Sequence, residues 1–285
     1  MSYLSKIAPF SLNEKLSILK YTIGSRLINK IPNGLKHTYL LTNRLLAKGI
    51  KVERISDNIR FNYPINQVKT EFQIKRNASD AQVFEQIIEL EEYSPILAIF
   101  REKNISPRTM IDAGANIGLT CLYFKSHFPD LDITALEPSE ETYNRLEQII
   151  NINHFSSVRL LKKGLWSSQT RLKADTSFRD GQDWSFRLVE ASEKEPALFE
   201  TTSIDDIINE HNLNSIDFLK IDIEGGEVEI FKDFSKIHWF DKVKIIALEI
   251  HDEFNCREHI ETNLAKYFEI RHSGELTIGI NKDLE

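Results

Sequence analysis

The chain has 285 residues, 41% hydrophobic and 28% charged, with a formal net charge of −7. That length fits one large α/β domain with an added segment, or two small domains, and the acidic balance supplies no overall basic field for nucleic acid. Its two cysteines, Cys121 and Cys256, form no CxxC pair, so neither a disulfide framework nor a zinc site is expected, which suits a reducing cytoplasm.

The charge is unevenly divided. Residues 1–60 carry 11 Lys and Arg against 3 Asp and Glu, a net of +8, while the rest carries 25 against 40, a net of −15. A division of this kind predicts a separate task for the first part of the chain. The basic segment reads as a helix, with Leu12, Leu16, Leu19, Ile23 and Leu27 at three- or four-residue steps and Ile31-Pro32-Asn33-Gly34 as its stop. Lys15, Lys20, Arg26 and Lys30 flank that apolar stripe. Such a helix suits peripheral contact with an anionic membrane surface at its inner face, or a lid packed on a catalytic domain. Apolar runs such as Ile96 to Phe100 are far too short to span a bilayer, and the N-terminus has no continuous signal-peptide core. A cytoplasmic location is therefore expected.

From Val52 to Ile74 the pattern alternates like strands, with Pro64 as an interruption, and Asp80 is placed to cap a helix running through Val83, Phe84, Ile87 and Ile88. Beyond Pro107, short apolar strands alternate with amphipathic helices. Strands are predicted at 109–113, 133–136, 158–162, 216–221, 244–250, 268–272 and 276–280, and helices near 117–127, 139–153, 204–211, 228–234 and 255–265. This alternation predicts an α/β, Rossmann-like, mostly parallel sheet. A short turn at Ser273-Gly274 adds a C-terminal antiparallel hairpin. Residues 172–200 are polar and irregular, fitting extra strands or a loop.

Four clusters carry candidate chemistry. Asp112-Ala113-Gly114-Ala115-Asn116-Ile117-Gly118 runs from a strand into a helix, where a glycine turn and free helix N–H groups can receive a carboxylate or a pyrophosphate. Glu137-Pro138 ends the next strand, with Glu137 placed to accept hydrogen bonds from both hydroxyls of a ribose. The block from Phe218 to Glu227 brings Lys220, Asp222 and Glu224 to a strand's carboxyl end, where Lys220 could instead pair with Asp222 or Glu227 in a scaffold network. Glu249 and His251 leave the following strand on one side. The turn lacks the G-x-G-x-x-G spacing suited to pyrophosphate, and the gathered acidic groups favour a cationic cofactor over a dianionic one.

From about Arg76 to His251 the chain resembles the FkbM family of S-adenosylmethionine-dependent methyltransferases. The matching features are Ser79-Asp80-x-x-Val83-Phe84-x-Gln86-Ile87, Glu92-Tyr93, Asp112 to Gly118, Glu137-Pro138, Asn153, Thr202-x-x-Asp205, Phe218 to Glu227, and Glu249-x-His251. The resemblance implies a class I methyltransferase domain over residues 76–285 behind a basic, mostly helical extension over 1–75. It implies S-adenosyl-L-methionine as cofactor and a hydroxyl on a sugar, glycan or natural product as acceptor. Asp112, Gly114, Asn116, Gly118, Glu137, Pro138, Leu165 and Asp222 are the expected cofactor-binding residues. Leu165 stands in Gly164-Leu165-Trp166, after the third strand, where many class I enzymes have an acidic side chain near adenine.

For catalysis, Asp222, then His251, then Glu224 are the candidate bases. Lys220 is expected to hold a carboxylate or the acceptor rather than remove a proton. No metal is expected, because no ligand cluster with metal-binding spacing stands out. A nicotinamide-dependent oxidoreductase and a catalytically inactive Rossmann-like binding module are the competing readings, and neither involves nucleic acid.

Overall fold

A computed structural model describes residues 8–23, 33–175, 187–192 and 194–284. The chain divides into two compact units, Met1–Ser94 with Leu122–Pro129 and Gln148–His154, and Pro95–Cys121 with Asp130–Glu147 and Phe155–Glu285.

In the first unit, helix α1 spans Leu12–Ile23 and α2 spans Asn33–Ala47. A capping box opens α1: Ser11 N donates to Glu14 Oε2 at 2.7 Å, and Glu14 N returns to Ser11 Oγ at 3.4 Å. The Leu12 and Leu16 stripe faces outward, with Leu12 74% exposed, whereas Ile18 packs inward with Phe10, Leu35 and Tyr39. Leu27, Arg26 and Lys30 lie outside the described residues. Asn33-Gly34 begins a helix rather than only ending one. Gly34 is required there because a Cβ would stand 2.4 Å from Ala78 N, so two backbones touch where no side chain fits.

Strands β1 (Glu53–Ile55), β2 (Asn58–Ile65) and β3 (Val68–Lys75) form an antiparallel meander. Pro64 does not interrupt β2; it pairs with Lys69 one step before the turn, where Asn66 and Gln67 take positive φ. Phe61 and Phe72 stack at 5.6 Å, and Phe84 meets both edge-on. Phe84 ends the short helix α3 (Asp80–Phe84), which continues as a π-helical turn over Glu85–Glu89. Asp80 does not cap it: its carboxylate accepts from Lys75 N at 2.7 Å, and Ser79 occupies the cap position without a side-chain bond.

The second unit holds the main sheet. After α4 (Ser94–Glu102), the chain makes β4 (Thr109–Ala113), α5 (Leu119–His127), β5 (Asp132–Leu136), α6 (Glu140–Ile152) and β6 (Val158–Leu161). The stretch 172–200, expected to hold extra strands or a loop, contributes strands to a small sheet. It is ordered β7 (Gly164–Leu165), β10 (Phe199–Thr202), β8 (Arg171–Asp175), β9 (Arg187–Glu190). Then follow α7 (Ile204–Glu210), β11 (Ile216–Ile221), α8 (Glu227–Ile230), β12 (Val243–Glu249), α9 (Arg257–Leu264), β13 (Phe268–Ser273) and β14 (Leu276–Asn281).

The main sheet has seven strands ordered β13-β14-β12-β11-β4-β5-β6, parallel except for β14, which runs antiparallel to both β12 and β13. This is the α/β, Rossmann-like arrangement with a C-terminal hairpin that the alternation predicted. All six residues of β11 are buried, as a central parallel strand requires. Helix α8 is one turn long, shorter than the predicted 228–234, because the chain leaves it at Phe231 and re-enters helical geometry only as a 3-10 turn at Phe234–Lys236. Among the described residues no helix is long and apolar enough to cross a membrane.

Asp217 ties the amino ends of three strands. Its Oδ2 accepts from Arg108 N at 2.6 Å and Thr109 N at 3.0 Å, and its Oδ1 meets Lys244 Nζ at 2.8 Å. Burial alone would raise its pKa, but Lys244 and the two amides outweigh burial and lower it. A carboxyl whose pKa is lower folded than unfolded contributes stability fully above the unfolded value of about 3.9 and loses it as pH falls towards the folded value. Asp217→Ala is expected to cost about 2–3 kcal/mol at pH 7, since two buried amides lose their acceptor. In urea unfolding, the deficit against wild type should shrink between pH 5 and pH 2.5; a deficit that grew on acidification would contradict this role.

Candidate active site

Strands β4 and β11 lie side by side, with Lys220 in register with Asp112 and Ile221 with Ala113. From β4 the sheet grows outward through β5 and β6, and from β11 it grows the other way through β12. The order therefore reverses between β4 and β11, and the carboxyl ends of such a pair open into the crevice where α/β sheets hold ligands. Asp112, Gly114, Lys220 and Asp222 all stand at that point.

The glycine turn is held from both sides. Gly114 N and Ala115 N donate to Leu136 O at 3.1 and 2.8 Å, and Asp222 N donates to Ala113 O at 3.1 Å. Gly114 has φ +79°, and a Cβ there would stand 1.7 Å from Asp222 O, so only glycine fits. Asn116 and Gly118 also take positive φ, at +50° and +86°, which delays the start of α5 to Leu119. Glu137 closes the turn: Oε2 accepts from Asn116 N at 3.1 Å and Oε1 from Ser139 N at 2.9 Å. Burial raises the Glu137 pKa despite these two amides. Each oxygen keeps a further lone pair, so the carboxylate can still accept from hydroxyl groups of a ligand. Pro138 stands between Glu137 and the amide of Ser139 that fixes it. Leu165 is buried as part of the main hydrophobic core.

Beneath the turn lies a buried ion pair. Lys220 Nζ stands 3.1 Å from Asp112 Oδ1 and 3.5 Å from Asp222 Oδ2, and donates to Gly114 O at 2.9 Å. Asp112 is 0% exposed and Lys220 2%. The Cys121 thiol donates to Asp112 Oδ2 at 3.3 Å, and burial with the Asp112 charge raises its pKa well above the ordinary thiol value, keeping it protonated as a donor. Of the two scaffold partners considered for Lys220, Asp222 is one and Glu227 is not. The Asp112 contact was not foreseen, and the register Lys220–Asp112 explains it.

Glu227 serves His251 instead. It is fully buried at the start of α8, where its Oε1 accepts from Ile223 N at 3.1 Å and lies 3.3 Å from His251 Nδ1. The other ring nitrogen, Nε2, lies 3.3 Å from Glu224 Oε2. Hydrogen bonding to Glu224 and then to Glu227 pushes the His251 pKa up to about 11. An imidazole that already carries its proton donates rather than accepts. As arranged here, His251 holds its proton between the carboxylates of Glu224 and Glu227. Glu224 has φ +53° and a side chain 88% exposed, so it is the most accessible of the cluster.

Residues 112–270 match the family described as the Methyltransferase FkbM domain. The chain belongs to this family. The matched span runs from Asp112 past His251 and so contains every candidate catalytic residue. Over 185 residues the chain is 31% identical to Methyltransferase sdnD of Sordaria araneosa, covering 54% of this chain and 71% of that protein. Over 161 residues it is 24% identical to Methyltransferase 1 of Beauveria bassiana, covering 50% and 64%. The crystal structure of Methyltransferase FkbM from Methylobacillus flagellatus is 17% identical with a TM-score of 0.40, covering 61% of this chain and 44% of that one. As a family, FkbM methyltransferases imply S-adenosylmethionine use in general terms.

The buried pair generates a stability test. Lys220→Met strands the Asp112 carboxylate without a counter-charge, and breaking one side of a buried pair costs about 3–5 kcal/mol. Removing both charges, as Lys220→Met with Asp112→Leu, should recover a large part of that loss. Chemical denaturation of the single and double variants measures the difference. Equal stability of Lys220→Met and wild type would show that the pair does not hold the turn.

Proposed function

We propose that the chain transfers the methyl group of S-adenosyl-L-methionine to a hydroxyl of a sugar, glycan or natural-product acceptor. The observation that carries this reading is the convergence, at one strand edge, of a glycine turn held on Glu137 with the accessible carboxylates Asp222 and Glu224. The residues fit the cofactor. Gly114 presents bare backbone where a ligand must come close, and Glu137 retains acceptor capacity for the two ribose hydroxyls. The cofactor's amino-acid portion would lie along Gly114 to Gly118, next to Asp112 and Asp222. When bound, the cofactor supplies an electrophilic methyl group.

The chain's own part is alignment and proton handling. Methyl transfer from a sulfonium is an in-line displacement, so holding the acceptor oxygen on the axis is a large share of the acceleration. A hydroxyl is a weak nucleophile at neutral pH and gains from a base within hydrogen-bond reach. Asp222 is the first candidate for that base. Glu224 is second, and His251, which carries its proton between Glu224 and Glu227, suits a donor's or orienting role. Lys220 is a positioning residue, since its ammonium is spent on Asp112, Asp222 and the Gly114 carbonyl.

Two measurements test the reading. Calorimetric titration with S-adenosyl-L-methionine should give saturable binding, and Glu137→Ala should weaken it about 10- to 150-fold, the loss of a buried charge-assisted hydrogen bond. Binding of NAD in place of S-adenosyl-L-methionine, or of neither, would replace this reading with an oxidoreductase or a binding module. With a panel of sugar and natural-product acceptors, single-turnover methyl transfer at saturating cofactor should fall about 10²–10⁴-fold in Asp222→Asn. A near-wild-type rate in that variant would move the base elsewhere.

A further inference from the structure

Two loops meet beyond the carboxyl ends of β11 and β12. One carries Asp222 and Glu224, the other His251. One ligand atom from each of these three residues lies within 4.8 Å of the others. Around a transition-metal ion with bonds of about 2.0–2.2 Å, neighbouring ligand atoms stand roughly 3–3.5 Å apart, so closing this set needs a movement on the order of 1 Å. Glu224, exposed along its side chain, can make that movement at little cost.

A second observation comes from behind the histidine. Glu227 is fully buried, and its Oε1 sits on His251 Nδ1, which turns Nε2 outward toward Glu224. Its other oxygen, Oε2, is buried and has no hydrogen-bond partner among the described residues. A buried carboxylate with an unsatisfied oxygen is costly, and is retained where it is needed. A carboxylate on the far nitrogen of a histidine is the usual support for a metal-binding ring, because it fixes the tautomer and raises the basicity of the coordinating nitrogen.

We propose that Asp222, Glu224 and His251 Nε2, which releases its proton to solvent as the ion binds, form a binding site for one divalent cation, with Glu227 orienting His251 from behind. Charge agrees with the geometry. Lys220 is shared between Asp112 and Asp222, which leaves the carboxylates of Glu224 and Glu227 around a single imidazole. Two carboxylates and one imidazole select a borderline cation such as Mn²⁺, Fe²⁺, Co²⁺ or Zn²⁺ over Ca²⁺ or Mg²⁺, which prefer all-oxygen shells. Three protein ligands leave positions open for water or for a hydroxyl of the acceptor. A cation there would lower the pKa of a bound hydroxyl. That catalytic role rests on the proposed methyl transfer; the binding of the cation does not. Spacing along the sequence gave no sign of the site because Asp222 and His251 are 29 residues apart and are joined only by the parallel pairing of their strands.

The test uses the full chain after treatment with a chelator and exchange into chelator-free buffer, with no S-adenosylmethionine and no acceptor. Mn²⁺ is titrated by calorimetry and, in parallel, followed by the electron paramagnetic resonance signal of the free ion. One ion per chain is expected, bound more tightly than Mg²⁺ or Ca²⁺. Glu224→Gln removes a ligand from an exposed position that does not support the fold, and should weaken Mn²⁺ at least about tenfold. Glu227→Gln, which touches no ion, should weaken it about 10- to 100-fold, as loss of such support does elsewhere. Circular dichroism melting confirms that each variant is folded. Absence of saturable Mn²⁺ and Zn²⁺ binding up to millimolar concentration would overturn the proposal. So would affinity unchanged in both Glu224→Gln and His251→Ala. Failure of S-adenosylmethionine binding would leave the cation result standing, so the two readings fail separately.

Discussion

The ammonium of Lys220 is the contact on which the site depends. It sits near the carboxyl end of the central strand β11, buried where no apolar neighbour can compensate a charge, and it is satisfied by three groups at once. Asp112 supplies the counter-charge, Gly114 O fixes the turn, and Asp222 is drawn toward the sheet end. Each of these three belongs to a different part of the ligand crevice. A lysine buried in a sheet is unfavourable unless paired and hydrogen-bonded, so the chain meets that cost with the groups that shape the site. The register of β4 against β11 thereby sets the position of the glycine turn directly, because Lys220 and Asp112 are opposite one another.

Burial then sorts the acidic residues by what they can do. Asp112 and Glu227 are sealed from solvent and serve other side chains: the first holds Lys220 and Cys121, the second His251. Glu137 is nearly buried and spends one lone pair of each oxygen on a backbone amide, so it can hold a ligand without moving. Asp222 is half-buried and Glu224 exposed. The loop that carries them is held by the Ile223 N bond to Glu227 Oε1 and stiffened further by its backbone conformation. Glu224 is left-handed, and Gly225 follows at φ +92° beneath Phe254, whose ring a Cβ would approach to 2.3 Å. An acidic side chain is thus offered to solvent from a backbone that has few alternatives.

The main sheet was legible in the sequence because its strands are short, apolar and separated by amphipathic helices, and each predicted strand falls within one or two residues of its observed limits. The glycine turn and Glu137 were legible for the same reason: both follow directly from a strand end. What stayed hidden was whatever depends on two strands meeting. Asp112 reads as a ligand-facing residue until the register places Lys220 opposite it. Glu227 reads as one more acid in an acidic block until it is found buried behind His251. Helix α2 was masked by Pro32-Asn33-Gly34, which has the composition of a stop. Only the close approach of Ala78 shows why a glycine belongs at a helix start there. On α1 the leucine stripe was read either as a membrane-facing surface or as the face of a packed lid; Ile18, outside that stripe, packs inward and Leu12 does not, since one face of a short helix cannot be assigned from periodicity when both faces carry leucine or isoleucine.

The surplus of negative charge is the feature that ties site to ligand. Five carboxylates, Asp112, Glu137, Asp222, Glu224 and Glu227, gather around one lysine and one histidine. Internal pairing can neutralise two of the five at most. A pyrophosphate brought to this edge would add two negative charges where the nearest cation, Lys220, is buried under the turn and already committed. A sulfonium ligand, or a divalent ion, meets the opposite field and is drawn in by the charges that would repel a dinucleotide. The same glycine turn and strand-end glutamate can therefore serve different chemistry according to what stands on the neighbouring strand, and here β11 ends in acids.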